Sequence, residues 1–302
     1  MSIERRIKVR GPFRLATSIN VLRRAENPRL LTHEPVRFQF SQEVPGGAVE
    51  VDVRQDSPGS DVFIRVLGDL ADGPAMDIIA KRVIRMFSLT VNSDGFYSVA
   101  RKDVHFQRVL TVCPDMRPVL YPTTFEGVLT AVLSYRQNVQ ETAAFLANVR
   151  EVAGVIPAGR PKAQASLPGK YTFLATPVKV LESAGLPKEK ILDLKRIAAH
   201  LVGEPDLLER LDGINDITLS RRALQHLPGI NKSIALHLLQ YAYGHSDLLL
   251  DSPMLRGAVK RFYSLPELPD ERTLLRLAHP YERWRSWWTF SLLTANEISV
   301  IV

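Results

Sequence analysis

Residues 227–254 read LPGINKSIALHLLQYAYGHSDLLLDSPM. In order, this is the end of one helix, a Pro-Gly turn, a second helix, a loop closed by the apolar run Leu248-Leu249-Leu250, and an aspartate that opens a third helix. Pro228-Gly229-Ile230-Asn231 must reverse the chain sharply. Gly229 takes positive φ at little cost, and asparagine is the next residue type best able to do so, which marks Asn231. A helix that starts directly after such a turn presents unpaired N–H groups and partial positive charge, a setting that suits a phosphate. Lys232 adds a full charge and Ser233 a hydroxyl donor. An ordinary helix–turn–helix corner has the same local sequence. Asp251 has two readings as well. Aspartate is a preferred N-cap and proline is tolerated in a first helical turn, so a cap accounts for Asp251-Ser252-Pro253. Placed at the mouth between hairpin and third helix, the same carboxylate would stabilise a cationic sugar or orient a water.

Working outward, 302 residues suffice for two domains or one large one. The 45% apolar and 24% charged content is that of a soluble globular chain. No apolar run approaches the roughly 20 residues that span a bilayer. The opening MSIERRIKVRG lacks the apolar core of a signal peptide, so a cytoplasmic protein with no membrane partner is expected. The single cysteine, Cys113, excludes an internal disulfide and four-cysteine zinc or iron–sulfur sites, and it fits a reducing compartment. A formal charge of +7 favours a polyanionic partner, but the surplus is spread along the chain and locates no face.

Alternation over 36–40 and 48–53 and the apolar run 62–66 predict antiparallel strands, with turns at Pro45-Gly46-Gly47 and Ser57-Pro58-Gly59-Ser60. Gly11-Pro12-Phe13 leads into a helix through Arg24, and a second helix covers 75–86, with Asp77 in its first turn and Lys81, Arg82 and Arg85 later. From about residue 100 the pattern is helical. Thr123-Thr124-Phe125-Glu126 caps a helix over 128–135, and others follow over 138–150, 176–184, 188–202 and 204–211. The expected class is α+β: an N-terminal antiparallel-sheet domain, 1–112, then an all-α domain, 113–302.

These residues resemble the helix-hairpin-helix DNA glycosylase superfamily. Its signature is an L-P-G-[VI]-G hairpin, a helix, and D-x-H-[VIM] opening another helix. Here the hairpin is Leu227-Pro228-Gly229-Ile230-Asn231, and the second element is Asp251-Ser252-Pro253-Met254. Tyr281-Glu282-Arg283-Trp284-Arg285-Ser286-Trp287-Trp288 is similar to the tryptophan-rich final helix of the bacterial 3-methyladenine DNA glycosylase II group. The stretch from Phe125 to Ser134 resembles the helix before that group's intercalating loop.

The resemblance implies a repair enzyme that flips a damaged base from double-stranded DNA and hydrolyses its N-glycosidic bond. Asp251 would be the catalytic carboxylate. Gly229, Asn231, Lys232 and Ser233 would grip backbone phosphate. A monovalent cation on the hairpin carbonyls is possible, and no other cofactor or metal is required. Tyr135 and the wedge residues Arg136, Gln137 and Asn138 would fill the vacated stack, with Tyr135, His237, Trp288 and Asn296 around the base. The family's lyase nucleophile falls at Ser233; Lys232 is one residue early and about 100° around the helix, which implies a monofunctional enzyme. Asn231, Pro253, Ser233, His237 and Asn296 depart from the pattern, the last three making the pocket less aromatic than an alkylpurine cage. An alkylated purine is the expected substrate, an oxidised purine the alternative, and a silent DNA-binding or damage-sensing module the rival from another class. By their own periodicity, Trp284, Trp287 and Trp288 share one helix face, and core packing claims at least two of them. A monomer is expected.

Overall fold

The computed structural model describes residues 1–22, 36–204, 207–211 and 216–301. A four-stranded antiparallel sheet runs in the order β1 (Ser2–Ile7), β4 (Val62–Leu67), β3 (Gly47–Gln55), β2 (Val36–Val44). All three strand stretches read from the sequence are present, the first two extended by a few residues and the third by one. Register sets Val51 opposite both Phe40 and Val66, so one apolar row crosses the sheet. β1 was not expected. It is an edge strand whose only apolar residues are Ile3 and Ile7, with charges between them, as edge strands commonly carry.

Helix α1 (Leu15–Leu22) begins as expected; residues 23–24 of the anticipated helix lie outside the described residues. α2 (Gly73–Met86) is capped by Asp72, whose carboxylate accepts from Ala75 N. Asp77 therefore plays no capping part; it pairs with Arg5 on β1 at 2.7 Å. Met76, Ile79 and Val83 of α2 share a core with Val51, Val53, Ile64 and Val66 of the sheet. Short helices α3 (Asp94–Ala100) and α4 (Gln107–Val112) complete this part.

The helical array comprises α5 (Thr124–Ser134), α6 (Val139–Ala153), α7 (Lys170–Ala175), α8 (Val178–Ser183), α9 (Lys188–Gly203), α10 (Leu207–Leu211), α11 (Ile217–Gln225), α12 (Lys232–Tyr241), α13 (Pro253–Phe262), α14 (Glu271–Ala278) and α15 (Arg285–Ile301). Residues 205–206 of the helix expected over 204–211 lie outside the described residues. Thr123 caps α5, accepting from Glu126 N at 3.1 Å.

Packing does not follow a single cut at residue 112. One core joins the sheet and α2–α4 to α13, α14 and α15, through Leu255, Val259, Phe262, Tyr281, Trp284, Trp287 and Trp288. A second core holds residues between Phe125 and Leu248. Burying the C-terminal apolar helix faces requires a partner, and the N-terminal sheet domain supplies it. Polar contacts bridge the parts. The Arg82 guanidinium donates to Gln42 Oε1 and Glu43 O, and Glu43 caps α7, accepting from Gly169 N at 2.7 Å and Thr172 Oγ1 at 2.8 Å. Arg117, fully buried, donates to the carbonyls of Arg10, Gly11, Pro12, Ser88 and Val91 and fixes the loops around it.

Candidate nucleic-acid interface and active site

The hairpin closes at Leu227–Ile230, where Ile230 N donates to Leu227 O at 3.2 Å. Gly229 holds φ +73°, and with proline before it the turn is type II. Leu227 and Ile230 are buried and hold the ends of the turn in the second core, while Gly229 is exposed between them. Asn231 does not take positive φ. It stands at φ −85° as the N-cap of α12, its Oδ1 accepting from Ile234 N at 3.0 Å. Gly229 alone supplies the left-handed residue, which frees Asn231 to cap. Among the described residues, the N–H groups of Lys232 and Ser233 have no acceptor, and both side chains are exposed. The arrangement leaves an open, positively polarised helix start beside an ammonium group.

The expected wedge loop follows α5. Ser134–Gln137 form a second tight turn: Gln137 N donates to Ser134 O at 3.0 Å, and Arg136 sits at φ +58°. The Arg136 guanidinium is exposed and lies over the Tyr135 ring, 5.3 Å from its centroid. Asn138 is committed to structure: it forms a capping box with Glu141, accepting from Glu141 N at 2.8 Å and donating its own N–H to Glu141 Oε2 at 3.0 Å. Its side chain is thus occupied, which leaves Arg136 and the partly buried Gln137 as the free wedge groups.

α9 brings wedge and hairpin together. Lys190 Nζ donates to Leu133 O at 2.6 Å and Tyr135 O at 2.9 Å, tying down the end of α5. Three residues on, Asp193 lies against the hairpin: a Cβ added to Gly229 would stand 2.6 Å from Asp193 Oδ2. Residues three apart share a helix face and differ by about 4.5 Å along its axis, so both loops rest on one turn of one strut.

Asp251 is not a cap. Ser252 caps α13, its Oγ accepting from Leu255 N at 3.1 Å. The Asp251 carboxylate is exposed and paired with Arg256: Arg256 Nε donates to Oδ1 at 2.8 Å, and Nη2 donates to Oδ2. These hydrogen bonds, opposed by some desolvation, hold the carboxyl below its ordinary value. Along the chain, Asp251 follows Leu248 of the second core and precedes Leu255 of the first. Its loop is pinned by Ser286, whose Oγ donates to His245 O at 2.7 Å and Leu248 O at 2.9 Å, and whose N–H donates to Ser246 O at 2.8 Å. One turn along the same helix, Phe290 reaches Tyr241, ring centroids 6.2 Å apart.

Tyr241 belongs to a cluster around His237. The rings of His237 and Tyr241 are 4.7 Å apart, and Tyr121 Oη lies 3.2 Å from His237 Nε2. Burial pushes His237 down to about 4, so the imidazole is neutral at physiological pH, and it pushes Tyr241 up to about 12 and Tyr121 higher. Tyr121, Tyr241, Phe290 and Arg256 were not singled out from the sequence. Tyr241 follows His237 by four residues, a helical spacing that could have flagged it.

One expected pocket residue, Trp288, is engaged in the core. Trp288 is fully buried in the first core, and its Nε1 donates to Tyr263 Oη at 2.9 Å. Tyr263 and Tyr281 in turn donate to Asp103 Oδ2 at 2.6 and 3.0 Å, so the indole belongs to a structural network. Asn296 is half-buried on α15 and, among the described residues, hydrogen-bonds to neither Asp251 nor His237. Among the described residues, no three His, Cys, Asp or Glu side chains are grouped to hold a metal ion, and no helix is long and apolar enough to cross a membrane.

No family model matches this chain, and no curated protein matches it. Solved structures do. The 3-methyladenine DNA glycosylase from Archaeoglobus fulgidus superposes with a TM-score of 0.79 at 18% identity, over 99% of this chain and 100% of that one. The Clostridium acetobutylicum 8-oxoguanine glycosylase/lyase, in complex with double-stranded DNA containing cytosine opposite 8-oxoguanine, gives 0.65 at 13% identity, over 99% of each chain. The Schizosaccharomyces pombe 3-methyladenine DNA glycosylase, in complex with abasic DNA, gives 0.52 at 16% identity, over 66% of this chain and 94% of that one. At these identities the likeness is one of fold.

Proposed function

We propose that this chain, which has the fold of the helix-hairpin-helix DNA glycosylases, is a monofunctional DNA N-glycosylase acting on a flipped, alkylated purine in duplex DNA. The observation that carries this reading is Asp251. Its capping duty is taken by Ser252, and its carboxylate is exposed, oriented by Arg256 and held below its ordinary titration range. The hairpin and α12 start would hold a phosphate, and Arg136 would enter the stack. With the base extruded, the N-glycosidic bond breaks, the base leaves with the bonding electrons, and the anionic Asp251 stabilises the oxocarbenium-like sugar while water adds at the anomeric carbon and loses its proton to solvent. An alkylated purine, already cationic, departs readily. Ser233 at the position of the lyase lysine supports hydrolysis without strand cleavage. A monovalent cation on the hairpin carbonyls fits this turn, since Asp193 puts a carboxylate against Gly229.

The test is base release from methylated duplex DNA. Wild-type protein releases methylpurines and leaves abasic sites without strand breaks; Asp251→Asn loses release by about a hundredfold or more while keeping duplex affinity. Equal release by both proteins refutes the role of Asp251.

A second reading, an oxidised purine as substrate, is favoured by the neutral His237–Tyr121 pair, which suits hydrogen bonding to a neutral base better than cation–π capture. An 8-oxoguanine duplex in the same assay separates the two.

A further inference from the structure

A cleft of about 620 Å³ opens between the C-terminal end of α2, the loop after α12 and the start of α15. Its position separates it from the hairpin: its walls include Tyr243, Gly244 and Ser246, beyond the C-terminal end of α12, whereas the hairpin sits at that helix's N-terminal end. Ten helical residues put about 15 Å between the two ends.

The chemistry of the walls is one-sided. Lys81, Arg85 and Arg283 line the cleft, and among the described residues no aspartate or glutamate does. Lys81 and Arg283 are exposed, and the Arg283 guanidinium lies over the Trp284 ring at 5.0 Å. Arg85 is held in place, donating to Thr124 Oγ1 at 3.0 Å and to Ala242 O. The indoles of Trp284 and Trp287 form an aromatic wall, and Asn92, whose Oδ1 accepts from Asp94 N at 3.0 Å, offers its amide N–H groups. The frame is rigid and locally strained. Ser88 in the wall and Glu282 beside Arg283 both hold left-handed backbone, φ +50° and +38°, and Ser88 O is fixed by Arg117 at 2.6 Å. Non-glycine residues in that region gather at functional sites.

We propose that this cleft binds a mononucleotide, with Lys81 and Arg283 on the phosphate and the base against the indole wall beside them, its edge read by Asn92. The volume falls within the range of small-ligand pockets, and an exposed ammonium beside a guanidinium suits phosphate. The inference does not rest on the role of Asp251.

The protein reports on this site by itself. Its three tryptophans are Trp284, Trp287 and Trp288, and two of them border the cleft. Titrating the full chain with deoxyadenosine monophosphate should give a saturable change in tryptophan fluorescence. Inorganic phosphate or deoxyadenosine alone should give a weaker one. The Lys81→Glu/Arg283→Glu variant should bind about tenfold or more weakly with an unchanged melting temperature. No saturable change, an equal response to inorganic phosphate, an equal response in the variant, or a response to duplex DNA only would each overturn the assignment.

Discussion

Both oxygens of the Asp251 carboxylate accept from the Arg256 guanidinium, Oδ1 from Nε at 2.8 Å and Oδ2 from Nη2, and Arg256 is itself tethered by donating Nη1 to Pro269 O at 2.9 Å. A fork of this kind fixes the orientation of a carboxylate as well as its charge. It keeps Asp251 anionic and offsets part of the field that the carboxylate would present to a sugar cation.

Removing the fork should change the titration of Asp251 in a known direction. The carboxyl lies below its ordinary 3.8, chiefly through the Arg256 hydrogen bonds. In Arg256→Gln, the carboxyl signal of Asp251 followed by NMR should titrate nearer 3.8. Because the folded value is lowered, the pair adds stability that is fully present above pH 3.8 and is lost as pH falls through the folded value. The melting curves of variant and wild type should therefore differ at neutral pH and converge at the acid end. An unshifted Asp251 titration would show that the pair does not form in solution.

His237 predicts a second pH dependence, of opposite origin. Its folded value of about 4 lies below the ordinary 6.5, because burial penalises the cation. Between these values the unfolded chain takes a proton that the folded chain refuses, so stability falls as pH drops from 6.5 towards 4. At 1.36 kcal/mol per pH unit the loss is at most about 3 kcal/mol. Denaturant melts at several pH values should show this slope in wild-type protein and a flatter one in His237→Gln. Parallel slopes would place His237 in water.

What the sequence revealed of this design follows what is local. The strands over 36–40 and 48–53 are legible from alternation, that over 62–66 from its apolar run, and the hairpin from Pro228-Gly229. β1 was hidden because Ile3 and Ile7 are separated by charges. At two positions the residue type was right but its job could not be read. Asp251 and Ser252 are both N-cap residues, and only the Ser252 Oγ–Leu255 N bond shows which one caps. Asn231 suits left-handed backbone or a cap, and Gly229 had already provided the former. Tyr121 and Arg256 carried no local signal. Tyr121 meets His237 across 116 residues, and the partner of Arg256 is set by how α13 leaves its loop. Trp288 was assigned to the pocket by resemblance, whereas its helix-face periodicity, which favoured core, agrees with its bond to Tyr263.

Gly229→Ala tests the hairpin. An L-residue at φ +73° costs about 1–2 kcal/mol, and its Cβ would press within 2.9 Å of both Asp193 Cβ and Oδ2. The variant should lose at least that stability and bind duplex DNA more weakly. Adding Asp193→Ala should return part of the stability by removing the clash with the carboxylate, leaving the backbone cost. A fully stable single variant would mean that the turn is not the type II turn described above.

Arg136 separates backbone geometry from contact. It holds φ +58° without being glycine, the exposed guanidinium lies over Tyr135, and Lys190 fixes the carbonyl of Tyr135 behind it. Arg136→Gly should relieve the left-handed strain and leave the fold as stable as wild type or more so. If the guanidinium meets a phosphate, the same change should lower the slope of log K against log salt by about one and weaken binding evenly across sequences. If instead it fills the stack beside a flipped base, the salt slope should hold while base release falls. Should neither quantity change, Arg136 is not a DNA contact, and the strained turn would need another explanation.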